Sequence, residues 1–106
     1  MSDDTQHRLL GDAKLCLRIT SSVYDAEITM LIEAAEADME RVGIKPALIQ
    51  ADVPLVKQAV MCWVKSHFGY DNSEASRFAS SYRSIVASLL NSPANVATES
   101  EDEDAL

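Results

Sequence analysis

A chain of 106 residues that is 47% hydrophobic, 25% charged and 6% aromatic has room for one core and is too apolar to stay unfolded throughout. Seventeen acids against nine bases give a formal charge of −8, which argues against a sequence-independent grip on nucleic acid or on an anionic membrane. The acid is concentrated at the ends: without Asp3, Asp4, Glu99, Glu101, Asp102, Glu103 and Asp104, residues 5–98 carry ten acids and nine bases, a net of −1.

No run approaches the roughly 20 apolar residues that span a bilayer. The opening Met1-Ser2-Asp3-Asp4-Thr5 has neither a basic nor an apolar segment, so no secretory signal is expected and synthesis is placed in the cytoplasm. In that reducing compartment Cys16 and Cys62 are expected as buried free thiols rather than as a disulfide.

Four helices and no strand are read along the chain. After a flexible N-terminus at residues 1–9, a short helix is expected over Leu10–Leu17, with Leu10, Ala13, Leu17 and Cys16 turned inward and Gly11 weakening it. Ser22 is the expected N-cap of the second helix, with Asp25 and Glu27 at its positive end. Ile28, Leu31, Ile32, Ala35, Met39 and Val42 form its single apolar stripe. Arg41 and Gly43 supply its stop, which gives a rod of about 28 Å.

The connector 43–51 holds Pro46 and is apolar for a loop, with Ile44, Ala47, Leu48 and Ile49; it either packs on the core or touches a partner. A third helix is expected to open at Asp52 with Pro54 in its first turn. Leu55, Val56, Ala59, Val60, Met61, Cys62, Trp63, Val64 and Phe68 leave it few polar positions, so it is expected at the centre. The fourth follows Asp71-Asn72-Ser73-Glu74, where Asp71 and Glu74 have capping-box spacing. It carries the stripe Phe78, Tyr82, Ile85, Val86 and Leu89, and Asn91-Ser92-Pro93 stops it. The fold class is therefore all-α: a small antiparallel bundle of about four helices over residues 10–91, with an acidic tail over 92–106 expected to be disordered in the free monomer.

Catalysis has no foothold in this pattern. His7 and His67 belong to no metal-ligand spacing, and no glycine-rich phosphate loop or nucleophile elbow is present, so no metal and no cofactor is expected. Ser66 and His67 are adjacent on a helix, where neighbours point about 100° apart. Trp63, Phe68 and Tyr82 sit at core spacing, and Lys57, Lys65, Arg77 and Arg83 are too scattered for a DNA-reading stripe. Glu33, Glu36 and Glu40 share the helix face opposite the apolar stripe; a solvated face is the ordinary reading, an assembly contact or channel wall the functional one. The run Glu99, Glu101, Asp102, Glu103, Asp104 is a solubilising tail or a docking strand for a basic surface, with Leu106 as an apolar anchor.

The order of these features resembles a known family. A short helix reads Asp12-Ala13-Lys14-Leu15-Cys16-Leu17-Arg18-Ile19, and the long helix follows an acidic turn. Next come Asp52-Val53-Pro54-Leu55-Val56-Lys57-Gln58-Ala59-Val60, then Tyr70-Asp71-Asn72 before Phe78-x-x-x-Tyr82. Over about residues 10–90 this is similar to the head–tail connector (adaptor) proteins of tailed bacteriophages, also labelled DNA-packaging proteins. Val42-Gly43-Ile44 replaces the family's aromatic-polar start of the loop, and the run past Asn91 is more acidic.

The resemblance implies a virion component, made in the host cytoplasm, that assembles as a ring (usually dodecameric) beneath the portal protein. The ring extends the tunnel through which double-stranded DNA passes without sequence-specific contact, and it offers a platform for a tail-side stopper or completion protein. By the same resemblance Ile44, Lys45, Pro46, Leu48 and Ile49 face the tunnel or the downstream protein, and the segment ending in Leu106 reaches the portal. The competing reading is a small acidic helical inhibitor or DNA mimic, against which the near-neutral folded part speaks.

Overall fold

The computed structural model describes residues 7–69 and 72–97, and the chain within them is helical with no strand. In order come α1 (Leu10–Leu17), α2 (Asp25–Arg41), α3 (Pro46–Gln50), α4 (Pro54–His67) and α5 (Ala75–Leu90), followed by a 3-10 turn at Pro93–Asn95. The shortest dimension is 19 Å, about two helix diameters.

Helix α4 is central, as its breadth of apolar positions predicts: it packs against α1, α2 and α5. Val56, Ala59, Val60 and Val64 of α4 meet Ile28, Ile32, Ala35 and Met39 of α2. Tyr82, Val86 and Leu89 of α5 close one side, and Leu10 and Ala13 of α1 close another. Each aliphatic side chain so buried contributes about 1.5–3 kcal/mol, the main drive for the fold. Trp63, Phe68 and Ile85 are half-buried at the edge of this core, while Phe78 is half-buried on a groove along α4. Cys16 is the exception on α1: it is an exposed free thiol, because Leu10 and Ala13 already define the inward face and Cys16 falls beyond it.

Helix α2 ends as its sequence predicts. Gly43 takes φ +118°, and the amides of Gly43 and Ile44 donate back to the carbonyls of Glu40 (3.1 Å) and Met39 (3.0 Å). Its start differs. Ser22 uses its carbonyl, not its side chain, to accept the Asp25 amide at 3.2 Å, so the serine closes a turn ahead of the helix and Tyr24 holds the N-cap position. At α5 the backbone before the helix is fixed by Asn72, which accepts the Glu74 amide (3.2 Å) and donates to the Lys65 carbonyl (2.5 Å). The Asp71 half of the expected capping box lies outside the described residues.

The connector is not a plain loop. The proline at 46 keeps Lys45 extended (φ −58°, ψ 131°) and then starts α3 at its own first position. Ile44 and Ile49 are 0% and 2% exposed, so of the two readings of this apolar segment the packed one holds for them. Asp52 does not open α4; it sits in a left-handed turn at φ +55°, and Val53 holds the N-cap position ahead of Pro54.

Both ends of the folded part reach further than the sequence pattern suggests. Leu9 is 2% exposed, so the expected flexible segment 1–9 is anchored at its inner end. Beyond α5, Val96 pairs with Ile44 in an isolated antiparallel bridge. The Lys45 amide donates to the Asn95 carbonyl (2.9 Å) and the Ala97 amide to the Gly43 carbonyl (2.8 Å). Residues 93–97 of the expected tail are thus fastened to the body.

Candidate interaction surfaces

The acidic face and the connector, two separate candidates in the sequence, are brought together. Glu33, Glu36 and Glu40 of α2 line one cleft of about 220 Å³ with Pro46, Ile49 and Gln50 of α3. The three acids are not equivalent. Glu33 and Glu40 are exposed, whereas Glu36 is committed inside the subunit. One Glu36 oxygen accepts from His7 Nε2 at 3.0 Å and the other from the Arg8 guanidinium at 2.6 Å. The Leu9 amide donates to His7 Nδ1 at 3.0 Å, which assigns the ring proton to Nε2.

Arg8 also forks onto both oxygens of Asp52 (2.6 and 2.7 Å) and donates to the Ile49 carbonyl (3.1 Å). The hydrogen bonds that Arg8 donates to Asp52 raise the guanidinium pKa, desolvation by burial opposes this, and Glu36 adds to the rise. One arginine thus ties the N-terminal segment to α2 and to the turn between α3 and α4. Lys45 and Leu48 are half-buried, and Pro46 is exposed.

A second concavity, about 290 Å³, lies between α2, α4 and α5 and is lined by Asp38, Trp63, Ser66, His67, Tyr82 and Arg83. Trp63 stacks on His67 (centroids 4.5 Å apart) and meets Tyr82 edge-on (5.0 Å). The Tyr82 hydroxyl donates to Asp38 at 2.8 Å, and Arg41 donates to the same carboxylate at 2.7 Å. Burial raises the pKa of Asp38, but the hydrogen bonds from Arg41 and Tyr82 outweigh it and hold the carboxyl below its ordinary value. Burial, joined by the Asp38 charge, drives the Tyr82 phenol far upward.

Ser66 and His67 do meet, contrary to the expectation for helix neighbours: Ser66 Oγ lies 2.8 Å from His67 Nδ1. Both fold back on the Trp63 carbonyl at the end of α4, Ser66 at 2.8 Å and His67 at 2.9 Å. The hydroxyl proton goes to that carbonyl, so the imidazole is not drawing it off and the serine is not activated.

A third and wider groove, about 610 Å³, runs along α4 and is lined among others by Cys16, Lys57, Met61, Cys62, Lys65 and Phe78. Burial pushes the Cys62 thiol up, against the pull of Lys65, away from the reactive thiolate. Beyond the grooves, several apolar side chains stand in solvent: Leu15 is 78% exposed, Val23 77% and Met30 67%. The apolar stripes of the sequence do not include them. Their signal was their position off the stripe, as with Met30 on the polar side of α2. The candidate tail residues Glu99, Glu101, Asp102, Glu103, Asp104 and Leu106 lie outside the described residues.

Among the described residues no three His, Cys, Asp or Glu side chains gather as a metal site, and no helix is long and apolar enough to cross a membrane. The described residues form a small helical domain with a closed core and several bulky apolar groups left outside it. A sequence profile of the family described as phage connector protein matches residues 9–95. The chain belongs to that family, a structural family of the phage particle. No curated protein and no solved structure matches it.

Proposed function

We propose that the protein is a head–tail connector that forms a ring, dodecameric in the virion, beneath the portal protein. The ring lengthens the DNA tunnel and presents a platform for a tail-side stopper or completion protein. The observation that carries this reading is the set of exposed apolar side chains outside a core that is already closed: Leu15, Val23 and Met30 have nothing left to cover within one subunit. A contact repeated head to tail covers such groups in every copy when the rotation closes.

In this reading Glu33, Glu40 and Pro46 form one surface at the lumen or at a subunit seam, with Glu36 and Ile49 as its internal support and Leu48 on the same short helix as Pro46. An acidic wall suits a conduit, since lysine and arginine contacts would release counterions and hold the phosphates. The run Glu99–Asp104 with Leu106 docks on the portal. Leu15→Ser combined with Met30→Gln tests the assembly. The purified double variant keeps the helical circular dichroism of the parent but no longer forms rings on portal assemblies by negative-stain microscopy. Rings of normal number from that variant overturn the reading, and a one-to-one complex with a basic partner replaces it with the inhibitor reading.

A further inference from the structure

Helix α4 packs against α1, α2 and α5, and its side turned away from α2 is the floor of the 610 Å³ groove. Met61 and Cys62 of α4 and Phe78 of α5 make that floor apolar. Two lysines line it, and they differ. Lys57 is paired with Asp12 at 3.1 Å. Lys65 is half-buried over the Phe78 ring, 5.0 Å from its centroid, and forms no ion pair among the described residues. Glu74 is near enough to feel the charge of Lys65, but its carboxylate is taken by Arg77. Asp52, at the Pro54 end of the groove, is held by Arg8. The groove is therefore an apolar slot with one partly desolvated ammonium that lacks a carboxylate. An occupant with an apolar knob and an acid one turn away satisfies both.

The same chain carries that combination on its far side. The outward face of α2 holds Met30, 67% exposed, in line with Ala26, Ala34 and Ala37, all exposed. Small residues around one long side chain let another helix come close on either side of a single knob. Glu27 lies one turn before Met30, is exposed and forms no ion pair among the described residues. Glu33 and Glu40 fall on the opposite flank of Met30. The register matches as well: Glu27 and Met30 are three residues apart, Met61 and Lys65 four, so each pair spans about one helical turn. Because α2 and the groove lie on opposite sides of α4, neither can serve the other within one subunit.

We infer that the groove receives the outward face of α2 from a second copy, with Met30 against Met61 and Phe78, Glu27 against Lys65, and the two helices antiparallel. Each copy then gives one face and takes another, a head-to-tail contact that continues from copy to copy unless its rotation closes. Closure into a ring rests on the connector reading; the contact itself does not. A helix seated in this way leaves Glu33 and Glu40 clear of the Glu27–Lys65 pair.

Charge exchange tests the pairing. Glu27→Lys and Lys65→Glu each keep the circular dichroism of the parent but set like charges together. Each lowers the number of rings on portal assemblies by about tenfold or more in negative-stain images. Both changes in one chain restore rings to within about twofold of the parent. Parental ring numbers in either single variant overturn the inference, and so does a double variant no better than the singles. In both cases the rings of the parent keep the connector reading. A second test uses free protein and needs no portal. In a chain with Cys16→Ser and Met30→Cys, a short bismaleimide joins the introduced thiol to Cys62 of the next copy. The product is a ladder beyond the dimer on a denaturing gel, absent from the chain with Cys16→Ser alone. No cross-link, or products that stop at the dimer, overturn the contact. A ladder from a protein that forms no rings supports the contact and removes only the ring.

Discussion

Tyr82 shows how a single hydrogen bond decides the chemistry of a surface. Its ring is core, in contact with Trp63, while its hydroxyl reaches out to Asp38 on α2, 44 positions away. The bond helps hold Asp38 ionised, so the native carboxyl has a lower pKa than the unfolded one. Its stabilisation is then complete above the ordinary value of 3.8 and fades as pH falls through the depressed native value. Tyr82→Phe is expected to cost about 1–2 kcal/mol at neutral pH. It is also expected to lose less further stability than the parent on acidification below about pH 4. Urea titrations of both proteins at neutral and acid pH check the sign. A parallel loss in the two would mean that Asp38 is indifferent to the phenol. Glu36 teaches the converse. Helical spacing put it with Glu33 and Glu40, but its partners His7 and Arg8 sit 29 and 28 positions away, where spacing along one helix says nothing.

At the scale of elements, the ends of helices carry opposite strains that can be tested together. Gly43 at φ +118° closes α2, and a methyl there would meet nothing nearer than 3.9 Å, so backbone strain alone sets the penalty. Gly43→Ala is expected to destabilise by about 1–2 kcal/mol. Arg18 ends α1 at φ +60° and is exposed, so Arg18→Gly relieves strain and is expected to stabilise by about 0.5–1 kcal/mol. Thermal melts should separate the pair on either side of the parent; a fall in both would refute the account at Arg18.

These same elements show what was legible from the residues alone. Helix α1 was legible from its few inward residues, Leu10, Ala13 and Leu17. The stripes of α2 and α5 and the centrality of α4 followed from periodicity, which burial enforces over three turns or more. Helix α3 did not, because five residues after a proline make little more than one turn and carry no period. Nor did the packing of Leu9 and residues 93–97, which depends on contacts with distant parts of the chain. The cleft joining Glu33 and Glu40 to Pro46 was visible only as two separate segments.

For the whole molecule, a near-neutral folded part and acid ends suit the proposed ring, which surrounds DNA without gripping it. Glu33 and Glu40 are exposed and make no ion pair among the described residues, so reversing them leaves the core alone. Glu33→Lys with Glu40→Lys is expected to preserve melting temperature and assembly but to slow DNA release from purified particles severalfold, through added phosphate contacts. Release at the parental rate would remove this face from the channel wall.

The clamp between Ile44 and Val96 has a mechanical corollary. Its two flanking main-chain bonds join the stretch just before α3 to the strand of chain that leaves the body after α5. In the proposed assembly, with residues beyond Ala97 docked on the portal, a pull along the chain is met first by that pair of bonds and by the buried Ile44. In that assembly the packed pair α4 and α5 bears load only after those bonds part, so the clamp acts as a strain relief ahead of the core.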